Sequence, residues 1–237
     1  RTPARAVSAD LSKQEDIDRI EADLGEANGV VTYLVNCAGF GRFGSWKDIA
    51  NDDATAMINL DARAVVAHGT VGIYWDPHEA ANVVGLEGVK VLVEDARRTP
   101  LKAMVTTPSC VPAVPGFEDT GSAIGPDDIA QSMTWESVVG LGEMMNFPGV
   151  VSGDYDVLAK IQLGTSHGKI VDGHAPGLLG RDLDAYLVTG ITNTHECTTL
   201  EEMRENLRRG SYILIREGSA AKNLRTLLPG VTPGNAR

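Results

Sequence analysis

Aromatic residues are scarce in this 237-residue sequence, with Phe, Trp and Tyr together at 5%. Cysteine is scarce too: Cys37, Cys110 and Cys197 are odd in number, widely separated and free of Cys-x-x-Cys spacing, so no disulfide framework is expected and a reducing cytoplasm fits. Apolar runs stop after a handful of residues, which excludes a membrane span. Positive charge is short: 21 Lys and Arg against 32 Asp and Glu give a net charge of −11, which repels nucleic-acid backbones and anionic lipid surfaces. The chain opens Arg1-Thr2-Pro3 with no initiator Met and no basic-then-apolar leader, so nothing marks it for secretion and it reads as a fragment. What remains is 43% hydrophobic and 22% charged, with Gly and Pro in no period. That is the profile of a soluble globular protein of one or two domains.

Strand and helix signals alternate from the start. Ile17, Ile20 and Leu24 share one face of a helix over 13–28, acidic near its start and ending at Gly29. The β-branched run 30–35 follows as a buried parallel strand, then a glycine-spaced loop and a second helix near 52–67. Six further strands are expected near 70–75, 102–106, 137–141, 169–171, 191–194 and 211–215. The clearest helical patterns between them are 178–188, 200–209 and 219–228. Such βα repetition implies parallel strands with helical crossovers, and in a βα barrel the loops after the strands build the site.

Three segments each present a metal-capable side chain just after an expected strand: Glu143 in 140–146, His174 in 172–177 and His195 in 193–197. One carboxylate and two imidazoles suit a divalent transition metal that polarises water for hydrolytic attack. The alternative is that both His are hydrogen-bonded structural residues, but the recurrence on successive βα units favours metal. His78, in Asp76-Pro77-His78-Glu79, reads as a substrate contact or a support for the site, with helix capping by Asp76 as the plainer reading of the motif. Pro108-Ser109-Cys110-Val111-Pro112 is a stiff loop suited to a pocket wall or to a purely structural role. Glu217, between a strand and a helix, either contacts substrate or pairs with Arg216. His68 and His167 read as solvated.

Several motifs carry a resemblance. Through 75–83, 108–113, 140–149, 172–177, 195–197 and 215–219, in the correct order, the chain from about His68 onward resembles the bacterial adenine deaminases, a family of metal-dependent amidohydrolases. The resemblance implies a TIM-type barrel that hydrolyses adenine to hypoxanthine and ammonia in purine salvage, with manganese, iron or zinc and a small-molecule purine as partner. It makes Glu143 a metal-bridging carboxylate, with His174 and His195 ligating the second metal of a pair. Glu143 and Glu217 become the catalytic carboxylates, and His78, Ser109 and Cys110 the substrate-binding set.

Residues 1–67 are instead similar to the middle of a short-chain dehydrogenase/reductase. Asn36-Cys37-Ala38-Gly39 stands where that family has Asn-Asn-Ala-Gly, and Asp10-Leu11 matches its acidic pair near the cofactor's adenine ring. Asp10, Asn36 and Gly39 are therefore vestigial cofactor positions. The glycine-rich phosphate loop and the Tyr-x-x-x-Lys pair are missing, and Asp61 replaces a catalytic Asn, so NAD(P) is not expected.

The expected whole is a truncated chimera of class α/β: a Rossmann-like βα fragment over 1–67, then an incomplete TIM-type (β/α) barrel over 68–237. The five His, at 68, 78, 167, 174 and 195, contain no His-x-His pair, no eighth-strand Asp is reached, and Thr194 takes the place of an Asp in the family's sixth-strand motif. One half of a binuclear site is intact. Open sheet edges invite pairing with another chain, which makes a homo-oligomer an expectation. A reductase-like remnant and a non-catalytic truncated product are the alternative readings.

Overall fold

A computed structural model describes Glu15, Arg19 and residues 70–98, 101–218 and 220–236. The readings placed on Asp10, Asn36, Gly39 and the rest of 1–67, apart from Glu15 and Arg19, lie outside the described residues, as does His68.

The chain divides into two compact units, one of Arg1–Ile73 with Glu94–Ala103 and one of Tyr74–Val93 with Met104–Arg237. In the first unit, Lys102 N donates to Val71 O at 3.2 Å. The described elements run in chain order as β1 (Gly72–Trp75), α1 (His78–Val84), α2 (Leu86–Ala96), β2 (Lys102–Thr107), α3 (Pro126–Ser132), β3 (Val138–Met144), α4 (Phe147–Ser152), α5 (Tyr155–Ser166), β4 (Ile170–Gly173), α6 (Gly180–Leu187), β5 (Asn193–Thr194), α7 (Leu200–Arg208), β6 (Tyr212–Ile213) and α8 (Leu224–Leu227).

In the second unit, which holds the C-terminal halves of β1 and β2, the strand order is β1-β2-β3-β4, and β5 pairs with β6. The β2–β3, β3–β4 and β5–β6 ladders are all parallel, as the βα rhythm requires. β3 is central and nearly continuous in buried residues, the pattern of a strand covered on both faces. A Cβ on Gly140 would stand 2.6 Å from Ile170 O, so this strand pair tolerates only glycine there. Helix α5 lies close on the sheet: a Cβ on Gly164 would meet Val171 Cγ2 at 3.0 Å and Leu141 Cβ at 3.4 Å. Leu141, Ile161, Val171, Leu183 and Tyr186 are almost wholly buried.

Local chemistry sets the helix starts. Asn146 accepts from Gly149 N at 2.9 Å to open α4, and Asp154 accepts from Val157 N at 3.0 Å to open α5. Between them Gly153 takes a left-handed φ of 80°, turning one helix into the next. Thr199 and Glu202 form a capping box on α7.

The structure differs from the sequence expectations in four places. β3 runs on to Met144, so Glu143 belongs to the strand and not to a loop after Leu141. β5 and β6 shrink to two residues each. The helix expected over 219–228 is reduced to Leu224–Leu227, because Glu217 bridges Lys222 and Gly218 N bonds Ala221 O, holding that backbone in a turn. Among the described residues α1 to α5 fill crossovers for which no helix was singled out.

Candidate metal centre

Glu143, His174 and His195 each sit at the end of a parallel strand, and their ligand atoms all lie within 4.8 Å of one another. His174 Nδ1 is 2.7 Å from Glu143 Oε2, His195 Nε2 is 3.5 Å from the same oxygen, and the two nitrogens are 3.3 Å apart. The rings meet edge to face, at 76° and 5.2 Å between centroids. Two imidazole nitrogens and one carboxylate oxygen thus aim at a common point. One cation at the centre would satisfy the two imidazole nitrogens and the carboxylate oxygen together. This donor set fits a divalent transition metal.

Each side chain is held from behind. The Glu143 amide donates to Asp76 Oδ2 at 3.0 Å, and its carbonyl accepts from Ser109 Oγ at 2.5 Å. The His174 amide donates to Tyr186 Oη at 2.9 Å, while that hydroxyl donates to Met144 O at 2.8 Å, so α6 ties the end of β3 to the end of β4. Gly173 N donates to Asn193 Oδ1 at 3.1 Å, joining β4 to the segment that carries His195. Thr194 Oγ1 accepts from Glu196 N at 3.3 Å, so the Thr in place of the expected Asp supplies a local bond of its own.

Electrostatics follow the geometry. Hydrogen bonds from His174 and His195 hold the Glu143 carboxyl far below the usual carboxylate range, against the effect of burial. For His195 burial pulls the pKa down, but the Glu143 hydrogen bond and the charges of Glu143, Asp172 and Glu196 outweigh it and the net shift is upward. Asp172, 5% exposed, is pushed up by burial.

The remaining candidates divide. His78 lies beside Asp76, with Nδ1 3.3 Å from Oδ1, and Asp76 in turn holds the Glu143 amide. Asp76 is therefore not a helix cap: the N-cap of α1 is Pro77, and it has no side-chain cap bond. Burial lowers the His78 pKa, yet the Asp76 carboxylate beside it carries it above the ordinary value. Its Nε2 is buried with no hydrogen-bond partner among the described residues. Ser109 and Cys110 line a cavity of about 370 Å³ with Met144, Asn146 and Lys160. Met144 follows Glu143 on β3, and strand alternation sends the two side chains to opposite faces. Glu217 takes none of the cluster's ion pairs; its exposed carboxylate accepts from Leu224 N at 3.2 Å, and Arg216 pairs with Glu196 instead. His167 is exposed at the end of α5.

Sequence reasoning missed Asp76 as an anchor of Glu143, Tyr186 as a strap and Glu196 as a member of the cluster. Glu196 directly follows a candidate ligand, and that adjacency was the available signal.

No family model matches the chain. Among curated proteins, an adenine deaminase of Nitratidesulfovibrio vulgaris (strain DP4) is 53% identical over 176 residues, covering 74% of this chain and 30% of the relative. An adenine deaminase of Clostridium acetobutylicum is 49% identical over 176 residues, 74% of this chain and 31% of the relative. Adenine deaminase 2 of Desulfotalea psychrophila is 49% identical over 175 residues, with 74% and 30% covered. The chain is thus similar over three quarters of its length to adenine deaminases, and it spans about 30% of the length of the curated relatives it matches.

Proposed function

We propose that the chain carries part of the site of a metal-dependent aminohydrolase that converts adenine to hypoxanthine and ammonia in purine salvage. The observation that carries this is the convergence of Glu143, His174 and His195 in a chain about half identical to adenine deaminases over its matched length. The curled parallel sheet with helical crossovers supports an incomplete TIM-type barrel as the finer fold.

A divalent ion of manganese, iron or zinc, when bound, would supply the Lewis acid that brings the pKa of water toward neutrality. The chain's own residues do the rest. Glu143 stays ionised and keeps its oxygen available to the centre. Tyr186 and the Gly173–Asn193 bond fix the two His against each other. His78, oriented by Asp76 through Nδ1, offers Nε2 for a purine nitrogen or amine. In the reaction a water oxygen bonds to the purine carbon, the carbon–amine bond breaks, and the leaving nitrogen takes a proton. That proton delivery alone is worth about 10²–10⁴-fold. The short-chain dehydrogenase/reductase remnant in 1–67 remains our reading of Asn36-Cys37-Ala38-Gly39, and resequencing across residues 60–70 tests the junction. The buried free thiols Cys110 and Cys197 support a cytoplasmic home.

Metal content after dialysis against manganese or zinc tests the centre: we expect one ion per chain, absent from His174→Ala. Equal content in the two proteins overturns the reading. Adenine turnover by these 237 residues is expected to be slight, and a manganese-dependent loss of adenine absorbance that vanishes in Glu143→Gln would contradict that expectation.

A further inference from the structure

Glu143 lies in β3 but outside both of its ladder registers. The β2–β3 register ends at Leu141, and the β3–β4 register slips between Leu141 and Met144. Where a ladder stops fixing a strand, other groups must take its N–H and C=O. Here side chains from the segments after β1 and β2 do so. Asp76 accepts from the Glu143 amide at 3.0 Å, and Ser109 Oγ donates to the Glu143 carbonyl at 2.5 Å. Met145 N adds a second bond to that carbonyl at 2.9 Å. These bonds set the direction in which Glu143 presents its carboxylate to His174 and His195.

Ser109 is 1% exposed, so its hydroxyl is closed to a substrate; it sits between the Glu143 carbonyl and Cys110 Sγ, the latter at 3.1 Å. The residue lies in the irregular loop after β2, and its own carbonyl accepts from Lys160 Nζ at 2.8 Å. Lys160 belongs to α5, the helix that Gly164 allows to approach Leu141 of β3 and Val171 of β4. The path is closed: β3 carries α5, α5 carries Lys160, Lys160 holds Ser109, and Ser109 holds the tip of β3. A ligand braced from both sides resists the small rotations that would take its oxygen off a metal. The plainer reading of Lys160 is a solvated lysine at a cavity wall. Yet the exposed acids Asp154 and Asp156 line the same cavity, of about 370 Å³, and would make stronger partners, while Nζ bonds a main-chain carbonyl instead.

We propose that Lys160 and Ser109 are positioning residues for the metal carboxylate: Lys160 fixes Ser109, and Ser109 fixes the direction of Glu143. This rests on the metal centre proposed above. It places Ser109 behind the site and not against a substrate.

Cobalt(II) is the probe, because its visible spectrum follows coordination geometry. The full chain is titrated beside Lys160→Met, Lys160→Arg, Ser109→Ala, Val157→Ala and His174→Ala, with denaturant unfolding of each. Val157 lines the same cavity from the same helix, and its side chain takes no part in the relay. We expect Lys160→Met and Ser109→Ala to weaken cobalt binding about tenfold or more and to shift the cobalt band. Lys160→Arg keeps a donor and recovers most of the affinity. Val157→Ala loses stability at unchanged affinity and spectrum. Wild-type affinity and spectrum in Lys160→Met and Ser109→Ala, with binding lost in His174→Ala, overturns the relay and leaves the centre standing. A loss in Ser109→Ala alone overturns the part given to Lys160. Affinity that falls as far in Val157→Ala or in Lys160→Arg as in Lys160→Met overturns it too, because the donor is then not what matters. Identical cobalt binding by the wild type and His174→Ala removes the centre and this inference together. Should Lys160→Met not fold, Ser109→Ala, which removes a single oxygen, decides: weakened binding upholds the relay, and full affinity overturns it.

Discussion

The amide of Glu143 is hydrogen-bonded to the carboxylate of Asp76 across 67 residues of sequence, at 3.0 Å. One oxygen of Asp76 holds the strand that presents the central carboxylate, and the other faces His78 at 3.3 Å. A single partly buried acid therefore places a candidate metal donor and the imidazole with an unengaged Nε2 in one frame. Such an anchor explains why Glu143 can sit within the strand itself.

Gly142 makes room for that anchor. A Cβ there would fall on the Asp76 carboxylate, so Gly142→Ala must push Asp76 away and strand the Glu143 amide. Leaving a buried donor unpaired costs about 1–3 kcal/mol. We expect Gly142→Ala and Asp76→Ala to lower the melting temperature by similar amounts and to weaken metal binding together. Thermal unfolding and metal titration of both variants check this, and a Gly142→Ala protein with full affinity would disprove the anchor.

Tyr186 gives a second test. Its hydroxyl donates to Met144 O and accepts from the His174 amide, and the side chain is 1% exposed. Tyr186→Phe keeps the ring and its packing but orphans two backbone groups. We expect a loss of about 1–3 kcal/mol in stability and a metal affinity about 10–100-fold weaker, the usual cost of removing a group that supports a ligand. Denaturant unfolding and metal titration measure the two effects separately. A stability loss with unchanged affinity would mean that the strap does not control His174.

How much of this was legible depends on whether the signal was local. β-branched runs near 102–106 and 137–141 marked β2 and β3, and the recurrence of a carboxylate or imidazole after successive strands marked Glu143, His174 and His195. The far end of β3 was hidden because Gly140 and Gly142 dilute a strand pattern, although close approach of Ile170 and Asp76 is what demands them. Asp76–Glu143, Tyr186–Met144 and Arg216–Glu196 span 67, 42 and 20 residues, and no periodicity encodes partners that only the fold brings together. Arg216 looked like a partner for its neighbour Glu217. Instead the bridge between Glu217 and Lys222 turns Glu217 toward Leu224 and leaves Arg216 free to cross to Glu196.

Lys160 lines the cavity beneath Ser109 and Cys110 and donates to Ser109 O at 2.8 Å. Burial lowers its pKa from the ordinary lysine value, with the nearby Cys110 and Asp156 opposing the shift. A base whose folded pKa is depressed loses its proton earlier as pH rises, so the neutral, nucleophilic amine appears at a lower pH than on a surface lysine. Reductive methylation near pH 9, well under the usual pKa of about 10.4, is expected to modify Lys160 ahead of the half-exposed Lys90. Peptide mapping by mass spectrometry across a pH series reads the order, and a later onset for Lys160 would refute the shift.

The last prediction concerns the joint between the two imidazoles. Gly173 is where β4 passes the segment carrying His195, and a Cβ there would overlap the carbonyl of Asn193 and come within 2.9 Å of Ile191 Cγ2. The obstructing atom is backbone, which cannot swing aside as a side-chain tip would. Gly173→Ala must therefore separate the ends of β4 and β5, stretching the 3.1 Å bond from Gly173 N to Asn193 Oδ1 and with it the 3.3 Å gap between the His nitrogens. Gly177→Ala is the control: its φ is positive, at 71°, but nothing lies within 4 Å of its added Cβ. Both variants are expected to lose stability, Gly177→Ala from backbone strain alone at about 1 kcal/mol or somewhat more. Only Gly173→Ala is expected to lose the metal as well. Circular dichroism confirms that secondary structure is kept, and metal titration reads the difference; equal affinity in the two variants would show that the imidazole spacing does not depend on this strand contact.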